Sequence, residues 1–201
     1  MKGCARTAVI LMVVGLALIV WAEISPDGAA PDFTLPGIDG VPHSLSSARG
    51  KYVVLEWFNY DCPFVRKHYG GGNMQALQKK YTEAGAVWFS ICSSAPGKQG
   101  HYPAEKMAEL AKQRNVASTA VLLDPDGRVG RLYGAKTTPH IFIIDPEGKL
   151  IYQGAVDSVP SADPADITSA VNYVRAALDA ALAGQPVEKK VTAPYGCSVK
   201  Y

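Results

Sequence analysis

The sequence predicts an α/β domain with a central mixed β-sheet flanked by helices. Short apolar runs rich in β-branched and aromatic residues alternate with stretches of helix-forming residues, the order expected when helices cover the faces of a sheet. Two of these runs flank an Asp-Pro-Glu-Gly turn at 145–148, which predicts an antiparallel hairpin within the sheet. The chain has 201 residues, 48% of them hydrophobic and 19% charged, which suffices for one folded core and excludes wholesale disorder.

The first 22 residues have the composition of a secretory signal peptide. Lys2 and Arg6 make the first residues positively charged, Thr7 to Trp21 is uncharged and mostly apolar, and the small residue Ala22 ends the apolar run. The apolar stretch is short for a hydrocarbon layer ~30 Å thick, although an uncleaved anchor stays open as the alternative. We therefore expect an extracytoplasmic domain, periplasmic or secreted, with no stable membrane span after cleavage, in a compartment where disulfides persist.

The strands of the domain are predicted from short apolar segments. Residues 23–32 are rich in Pro, Gly and Ala and predict a linker, residues 33–184 are expected to form the domain, and Gly37 to Gly40 reads as a turn. β-Branched and aromatic residues mark the strands. The predicted strands are Val53–Phe58, Ala86–Cys92, Ala120–Leu123, Ile141–Ile144 and Leu150–Gln153.

Three segments carry the periodicity or composition of helices. Phe64 to Tyr81 contains helix formers interrupted by three glycines at 70–72, which predicts a broken or kinked helix. Ala104 to Asn115 places its apolar residues at helical spacing. Asp163 to Ala183 is predicted as one long amphipathic helix ending at Gly184. Residues 185–201 form a C-terminal tail with no clear period.

Charge and glycine patterns argue against nucleic-acid or nucleotide binding. Twenty basic and eighteen acidic residues leave a net charge of only +2, too little for the field of a dedicated nucleic-acid binder. The glycines at 70–72 lack the Lys-Ser/Thr pair of a phosphate-binding loop. We expect neither a cofactor nor a metal ion.

Cys62 is the strongest candidate for a nucleophile. The string Asp61-Cys62-Pro63 lies where a predicted strand passes into a helix, and Pro63 suits the first helical position. The free N–H groups and the dipole at a helix N-terminus favour a thiolate, the attacking form in disulfide exchange and peroxide reduction. A buried and inert cysteine is the alternative.

The motifs around Cys62 resemble a known family. The strand Val53–Phe58, the pair Cys62-Pro63, and Thr138-Pro139 before the strand Ile141–Ile144 resemble the thioredoxin-fold redoxins, specifically the AhpC/TSA, peroxiredoxin-like branch. The resemblance covers residues 30–155 well and implies a thioredoxin-like fold. It also implies an extracytoplasmic thiol oxidoreductase with antioxidant activity, acting on protein disulfides or peroxides and regenerated by an external thiol reductant.

The sequence departs from two patterns of that family. A Cys-x-x-Cys motif would place cysteine at 65, where Val65 stands, so Cys62 has no local partner. A peroxiredoxin places Thr three residues before its cysteine, and here that residue is Asn59. Asn59 and Arg66 are candidates to contact a bound peroxide, with an exposed polar role as the favoured alternative for each.

Further site residues follow from the resemblance. Thr138-Pro139 is similar to the cis-proline loop of the fold, which faces the nucleophile and, together with Pro63, would bind substrate; an ordinary trans turn is the alternative. Glu56 lies six residues before Cys62, at the offset of a buried acid in thioredoxins. If it is buried, its pKa rises and it can exchange protons with the thiol; if it faces solvent, it has no such role.

Two cysteines compete to resolve an oxidised Cys62. Cys197 lies on the tail, which is long enough to cross a small domain when extended at ~3.3 Å per residue. Cys92 is nearer in strand order but is fixed by the sheet. We rank Cys197 first, and a structural Cys62–Cys197 bridge or a merely buried Cys92 remain alternatives.

Two other functional classes stay open. Sulfur and imidazole ligands suit copper, so a copper-binding module using Cys62, His140 and perhaps Cys92 is one alternative. We expect the four histidines to be solvated surface residues in the absence of such a site. The other alternative is a thioredoxin-like binding domain without turnover, in which Cys62 would have an ordinary thiol pKa.

Overall fold

A computed structural model describes residues 24–201, which form a five-stranded sheet covered on both faces. The predicted signal peptide at 1–22 lies outside the described residues. The strands are β1 (Thr34–Pro36), β2 (Pro42–Ser44), β3 (Val53–Trp57), β4 (Val87–Cys92), β5 (Ala120–Leu123), β6 (Thr137–Thr138), β7 (His140–Ile144), β8 (Leu150–Gly154) and β9 (Cys197–Ser198). The helices are α1 (Pro63–Gly70), α2 (Asn73–Glu83), α3 (Ala104–Gln113), α4 (Arg128–Leu132) and α5 (Tyr173–Leu182).

The central sheet is mixed, as the sequence predicts. Its strand order is β5-β4-β3-β7-β8, with β3, β4 and β5 parallel and β7 and β8 antiparallel to their neighbours. All five residues of β3 are buried because helices and loops cover both faces of this middle strand. This arrangement confirms the thioredoxin-like fold.

Alternate side chains of β3 pack into two separate hydrophobic cores, one on each face of the sheet. Val54 packs with apolar side chains from α1, α2, α3 and α5 on one face of the sheet. Leu55 and Trp57 point to the other face, where Phe33 and Val129 pack against them. Period-two alternation in a buried strand thus fixes the register, because a slip of one residue would exchange the two faces.

The broken helix after Cys62 is confirmed, and glycine is the cause. α1 ends at Gly70 and α2 begins at Asn73, with Gly72 between them at a φ of 71°. A side chain with a Cβ is strained at that φ, so glycine permits the change of direction. The break directs α1 and α2 separately onto the same face of the sheet.

The predicted long helix over Asp163–Ala183 is wrong. Residues Pro164–Thr168 form a short 3-10 helix, and α5 begins only at Tyr173. The helix is interrupted between them because Val171 exchanges hydrogen bonds of 3.0 Å with Ser158 through backbone and hydroxyl groups, and Asn172 has extended backbone. The Asn172 side chain then caps α5, which ends before Gly184 as predicted.

Both predicted appendages pack on the domain where the structure describes them. Ile24 and Ala30, within the predicted linker, are buried, and the backbone of this segment bonds with Gly148 and Leu150 of the β7–β8 hairpin. The tail turns back so that β9 pairs with β6. Among residues 24–201, no helix has the length and apolar character needed to cross a bilayer.

Candidate active site

Cys62 lies at the N-terminus of α1, as predicted. It is the N-cap residue, with extended backbone, and Pro63 occupies the first helical position. The backbone N–H of Arg66 donates to the Cys62 carbonyl at 2.9 Å and closes the first turn. The Cys62 residue is fully buried, with 0% of its surface exposed, whereas Pro63 is exposed.

The Thr138-Pro139 loop faces Cys62. Its peptide bond is cis, as the resemblance implies. β7 pairs with β3 so that His140 lies opposite Trp57, which brings the loop to the carboxyl end of β3 where α1 begins. The Cys62 Sγ donates to the Thr138 carbonyl oxygen at 3.0 Å, and Thr138 and Pro139 are both buried.

β9 brings the second cysteine to the same loop. Cys197 pairs with Thr138 and Ser198 pairs with Thr137 in an antiparallel ladder. Gly196 has a φ of 137°, and a Cβ at that position would lie 2.1 Å from the Thr138 carbonyl oxygen. Only glycine allows the tail to approach the loop this closely. Cys197 therefore lies within hydrogen-bonding reach of Cys62, and both are reduced thiols.

The two thiols are electrostatically unequal. Burial is the largest single influence on the pKa of Cys62 and raises it, but the surrounding hydrogen bonds together lower the pKa overall, the strongest being those from the Cys197 thiol and backbone N–H. Further hydrogen bonds from Thr138 and from the N–H of Val65 act in the same direction. Burial and the adjacent Cys62 raise the pKa of Cys197 to about 11. Cys62 is thus the thiol of the pair that ionises first.

A buried polar cluster anchors the tail two residues before Cys197. The Tyr195 hydroxyl donates to Asp157, which forms a 3.1 Å ion pair with the buried ammonium of Lys67. Lys67 Nζ also donates to the Tyr195 oxygen, and His68 Nε2 lies 3.3 Å from it. The Tyr195 ring packs edge-on against Phe64, with centroids 5.8 Å apart. Since Phe64, Lys67 and His68 belong to α1, the helix that begins at Cys62 also binds the tail.

The residues that follow β9, at the end of the tail, are also bound to the domain. The Val199 N–H donates to the Lys136 carbonyl at 3.2 Å, and the Lys200 carbonyl accepts from the Ala95 N–H at 2.8 Å. The Tyr201 hydroxyl donates to the Ala135 carbonyl at 2.8 Å. Cys197 is therefore held by contacts on both sides.

Cys92 occupies a different environment. Its Sγ donates to the Gly100 carbonyl at 3.4 Å, and it is 4% exposed at the end of β4. Burial raises its pKa. The structure thus places Cys197, and not Cys92, against Cys62, while the resolving role of Cys197 stays a prediction.

Glu56 is buried rather than exposed. Its carboxylate accepts hydrogen bonds of 2.8–3.0 Å from four side chains: Tyr69, Gln78, Trp88 and Ser90. Burial raises its pKa even though these four bonds oppose the shift. The hydrogen bonds of Glu56 tie β3 to α1, α2 and β4, and its proton exchange with Cys62 stays a prediction.

The remaining polar candidates near Cys62 have structural partners. Asn59 is 1% exposed, not a surface residue, and it donates to the Gln99 carbonyl while accepting from the Asp61 N–H at 2.9 Å. Arg66 is exposed, and its guanidinium donates to the Asp61 carbonyl at 2.8 Å. Asn59 therefore shapes the loop before Cys62.

The expectation that the histidines are solvated is wrong for two of them. His68 and His140 are 0% and 5% exposed, and burial lowers the pKa of His140 to about 3. The Nδ1 of His140 accepts from the backbone N–H of Lys136. Within residues 24–201, no three or more His, Cys, Asp or Glu side chains are grouped so as to hold a metal ion. The described residues therefore give no support to the hypothesis of a copper-binding module.

Sequence reasoning missed the polar cluster beside the cysteines. Lys67 and Asp157 are separated by 90 positions, and no local pattern signals that a helical lysine will be buried. The one residue whose type could have indicated this cluster was Tyr195, an aromatic residue with a polar hydroxyl two positions before Cys197. Such residues bury the ring and satisfy the hydroxyl.

The AhpC/TSA family model matches residues 26–153 of this chain. The thiol-disulfide oxidoreductase ResA of Geobacillus thermodenitrificans is 26% identical over 153 residues, which cover 72% of this chain and 82% of ResA. The thioredoxin-like protein YneN of Bacillus subtilis is 29% identical over 119 residues, covering 59% of this chain and 65% of YneN.

A solved structure matches more of the chain. An uncharacterized conserved protein from Geobacillus kaustophilus superposes with a TM-score of 0.78 and 27% identity, covering 89% of this chain and 93% of that protein. The match therefore extends well beyond the segment that the family model covers, which ends at residue 153.

Proposed function

This chain belongs to the AhpC/TSA family, and we propose that it is a thiol oxidoreductase whose working pair is Cys62 and Cys197. The observation that carries the proposal is the pairing of β9 with β6, which brings Cys197 against the nucleophile at the Thr138-Pro139 loop. The N-terminus of α1 and the N–H of Val65 stabilise a Cys62 thiolate whether or not the tail is docked, and the docked Cys197 has a pKa raised to about 11, so the pair has one attacking and one resolving member. This asymmetry argues against a binding domain without turnover.

With a disulfide substrate, the reaction is two successive thiol–disulfide exchanges. The Cys62 thiolate attacks one substrate sulfur, and the other leaves as a thiolate. The deprotonated Cys197 then attacks the Cys62 sulfur, forming the Cys62–Cys197 disulfide and releasing the second substrate thiol. The substrate gains two electrons and the protein is oxidised. An external thiol reductant restores the two thiols.

With a hydroperoxide, the same pair completes a peroxidase cycle. The Cys62 thiolate attacks the terminal peroxide oxygen, and the alcohol or water leaves, so that Cys62 becomes a sulfenic acid. Cys197 condenses with it, forming the same disulfide and releasing water. Both substrate classes therefore lead to one oxidised protein.

Substrate reaches Cys62 only when the tail moves. Cys62 is fully buried, and β9 occupies the backbone edge of Thr138 that the resemblance assigns to a peptide substrate. Thr138, Pro139 and Pro63 form the substrate surface once β9 has separated from β6. The reduced protein thus alternates between a docked and an undocked tail.

The protein works outside the cytoplasm. The positively charged start, the apolar run and the small final residue of segment 1–22 support export. Residues 185–201 form a tail whose role, carrying Cys197, is distinct from that of the domain. An oxidising compartment allows the Cys62–Cys197 disulfide to persist until a reductant arrives.

Activity assays on cysteine variants test the proposal. We expect Cys62→Ser to abolish both reduction of a peptide disulfide and reduction of a hydroperoxide. Cys197→Ser should leave a single turnover and then stop, with Cys62 held as a mixed disulfide or as oxidised sulfur. Cys92→Ser is the matched control and should retain turnover. Turnover that survives in Cys62→Ser, or is lost only in Cys92→Ser, would refute the proposal.

A further inference from the structure

The docked tail lies where the proposed function places a substrate, so its contacts indicate which side chains that place accepts. Cys197 and Ser198 pair with the backbone of Thr138 and Thr137 as a short antiparallel strand. This pairing brings the Cys197 sulfur within hydrogen-bonding reach of Cys62. A peptide bound in the same register would present its own cysteine to Cys62, and its preceding residues would meet the contacts that the tail now makes.

The residue two positions before Cys197 has a pocket of its own. The Tyr195 ring packs edge-on against Phe64, with centroids 5.8 Å apart, and the Lys67 ammonium lies 5.4 Å from the centroid of the Tyr195 ring. The Tyr195 hydroxyl donates to Asp157 and accepts from Lys67. Tyr195 is only half-buried, so the pocket is open to solvent on one side and a side chain can enter it from there.

The walls of this pocket are held by contacts that do not involve the tail. Lys67 and Asp157 form their ion pair at 3.1 Å. The Lys67 ammonium also donates to the Val159 carbonyl at 2.9 Å, and Asp157 accepts from the Val159 N–H at 3.0 Å. When the tail leaves, Asp157 therefore stays in place but loses the hydroxyl that donates to it. An incoming phenol restores that hydrogen bond, whereas a side chain without a hydroxyl leaves it unmade.

The position between the pocket and the cysteine accepts no side chain. Gly196 has a φ of 137°, at which residues with a Cβ are strained. A Cβ at this position would lie 2.1 Å from the Thr138 carbonyl oxygen. The obstacle is backbone of the cis-proline loop, which cannot turn aside as a flexible side chain would. A strand docked in this register therefore needs glycine immediately before its cysteine.

We propose that the site selects protein or peptide disulfides in which the reactive cysteine follows Tyr-Gly, the two residues that precede Cys197 in this chain. The inference rests on the proposed function, since it presumes that a substrate disulfide reaches Cys62 after the tail has undocked. The substrate strand pairs with β6, its glycine passes the Thr138 carbonyl, and its tyrosine hydroxyl donates to Asp157. The tail and the substrate compete for one place and share these two residues for the same steric and hydrogen-bonding reasons.

A peptide series tests the proposal. The probe is a disulfide-linked dimer of a heptapeptide with the sequence of residues 193–199, so that attack at either sulfur links the same peptide to Cys62. The full chain carrying Cys197→Ser, in which the linked peptide accumulates, is mixed with the probe, quenched with acid at intervals and mapped by mass spectrometry. We expect linkage to be about tenfold slower or more when phenylalanine replaces the tyrosine of the peptide. Alanine in place of its glycine should slow linkage about as much.

The series separates failure of the inference from failure of the proposed function. Equal rates for the tyrosine and phenylalanine peptides, or for the glycine and alanine peptides, would overturn the inference and leave the proposed function intact, because every peptide still reacts with Cys62. If no peptide becomes linked to Cys62, the inference and the proposed reaction with disulfides both fail.

An Asp157 variant gives a second readout. Asp157→Asn, added to the Cys197→Ser chain, keeps an acceptor but removes its charge, so the ratio of the tyrosine rate to the phenylalanine rate should fall about fivefold. This ratio does not change with the fraction of docked tail, because the tail excludes both peptides equally. Asp39→Asn, at an exposed aspartate between β1 and β2, is the matched control and should leave the ratio unchanged. The same ratio in the two variants would overturn the assignment of the tyrosine hydroxyl to Asp157, and with it the inference.

Discussion

At the scale of single residues, the site depends on how differently two identical side chains behave. Cys62 and Cys197 are both thiols, yet the N–H groups around Cys62 stabilise its negative charge while Cys197 has a neighbour that repels one. The sequence indicates the first half of this asymmetry, since Pro63 marks the start of a helix. It cannot indicate the second half, because that depends on where the tail docks.

The first prediction concerns ionisation of the pair. The ultraviolet absorbance of the reduced protein should rise with pH in separate thiolate steps, with Cys62 ionising below the ordinary thiol range and Cys197 near pH 11. Cys62→Ser should remove the lower step and also lower the pKa of Cys197, because the neighbouring negative charge is gone. A lower step that persists in this variant would show that another group produces it.

The second prediction concerns the buried carboxyl of Glu56. Its pKa is raised by burial, so its contribution to stability is present below the ordinary carboxyl value of about 4.3 and is lost as pH rises through the raised value. Glu56→Gln cannot titrate and should remove this slope from the free energy of unfolding measured in urea at several pH values. An unchanged slope would contradict the assignment.

The same variant tests the catalytic role of Glu56. If the carboxyl exchanges protons with Cys62, the pH at which Cys62 ionises in the ultraviolet titration will also shift in Glu56→Gln. A step that stays in place would restrict Glu56 to joining β3 to its neighbours. Gln78→Leu is a useful control, since it removes one donor to Glu56 without removing the carboxyl.

At the scale of elements, local signals predict strands and breaks well and long-range contacts poorly. The β7–β8 hairpin follows from its turn residues, and the break between α1 and α2 follows from glycine at positive φ. The predicted helix over 163–183 fails because Val171 bonds with Ser158 of a distant loop, which no periodicity reveals. The tail lacks a period because its conformation is dictated by contacts with the domain.

The third prediction concerns the anchor of the tail. Tyr195→Phe removes the hydroxyl that bonds to Asp157, Lys67 and His68, a loss of about 1.5–3 kcal/mol for hydrogen bonds to charged groups. We expect the Cys62–Cys197 disulfide to form about tenfold more slowly or worse, because the docked tail is less populated. Rapid quenching after addition of an oxidant, followed by peptide mapping, measures this rate.

Tyr173→Phe is the matched control for the anchor variant. Tyr173 is partly exposed on α5, and Lys189 lies over its ring, so loss of its hydroxyl should leave disulfide formation unchanged. Equal rates in the two variants would show that the cluster around Tyr195 does not position Cys197.

At the scale of the whole molecule, the chain order of strands and helices was enough to predict a mixed sheet, with Cys62 where a strand of that sheet passes into a helix. The sheet topology confirms this, with β3 central between β4 and β7. What could not be predicted is the closure of the site by residues beyond the last helix. That closure joins α1, the Thr138-Pro139 loop and the tail, three segments far apart in sequence.

The fourth prediction concerns the N-terminus. Protein isolated from the native compartment should begin near Glu23, because segment 1–22 has the positive front, short apolar run and small terminal residue of a cleaved signal. N-terminal sequencing of the extracytoplasmic fraction measures this. A soluble cytoplasmic protein that begins at Met1 would contradict export.

The central claim is that Cys62 and Cys197 form one reversible redox couple, and a redox titration with non-reduced peptide mapping tests it most directly. The protein is equilibrated across glutathione buffers, quenched with acid, digested and analysed for disulfide-linked peptides. We predict one transition in which the Cys62 and Cys197 peptides become linked as the buffer becomes oxidising and separate again with dithiothreitol. A link between Cys62 and Cys92, or two thiols that stay unlinked in every buffer, would contradict the account.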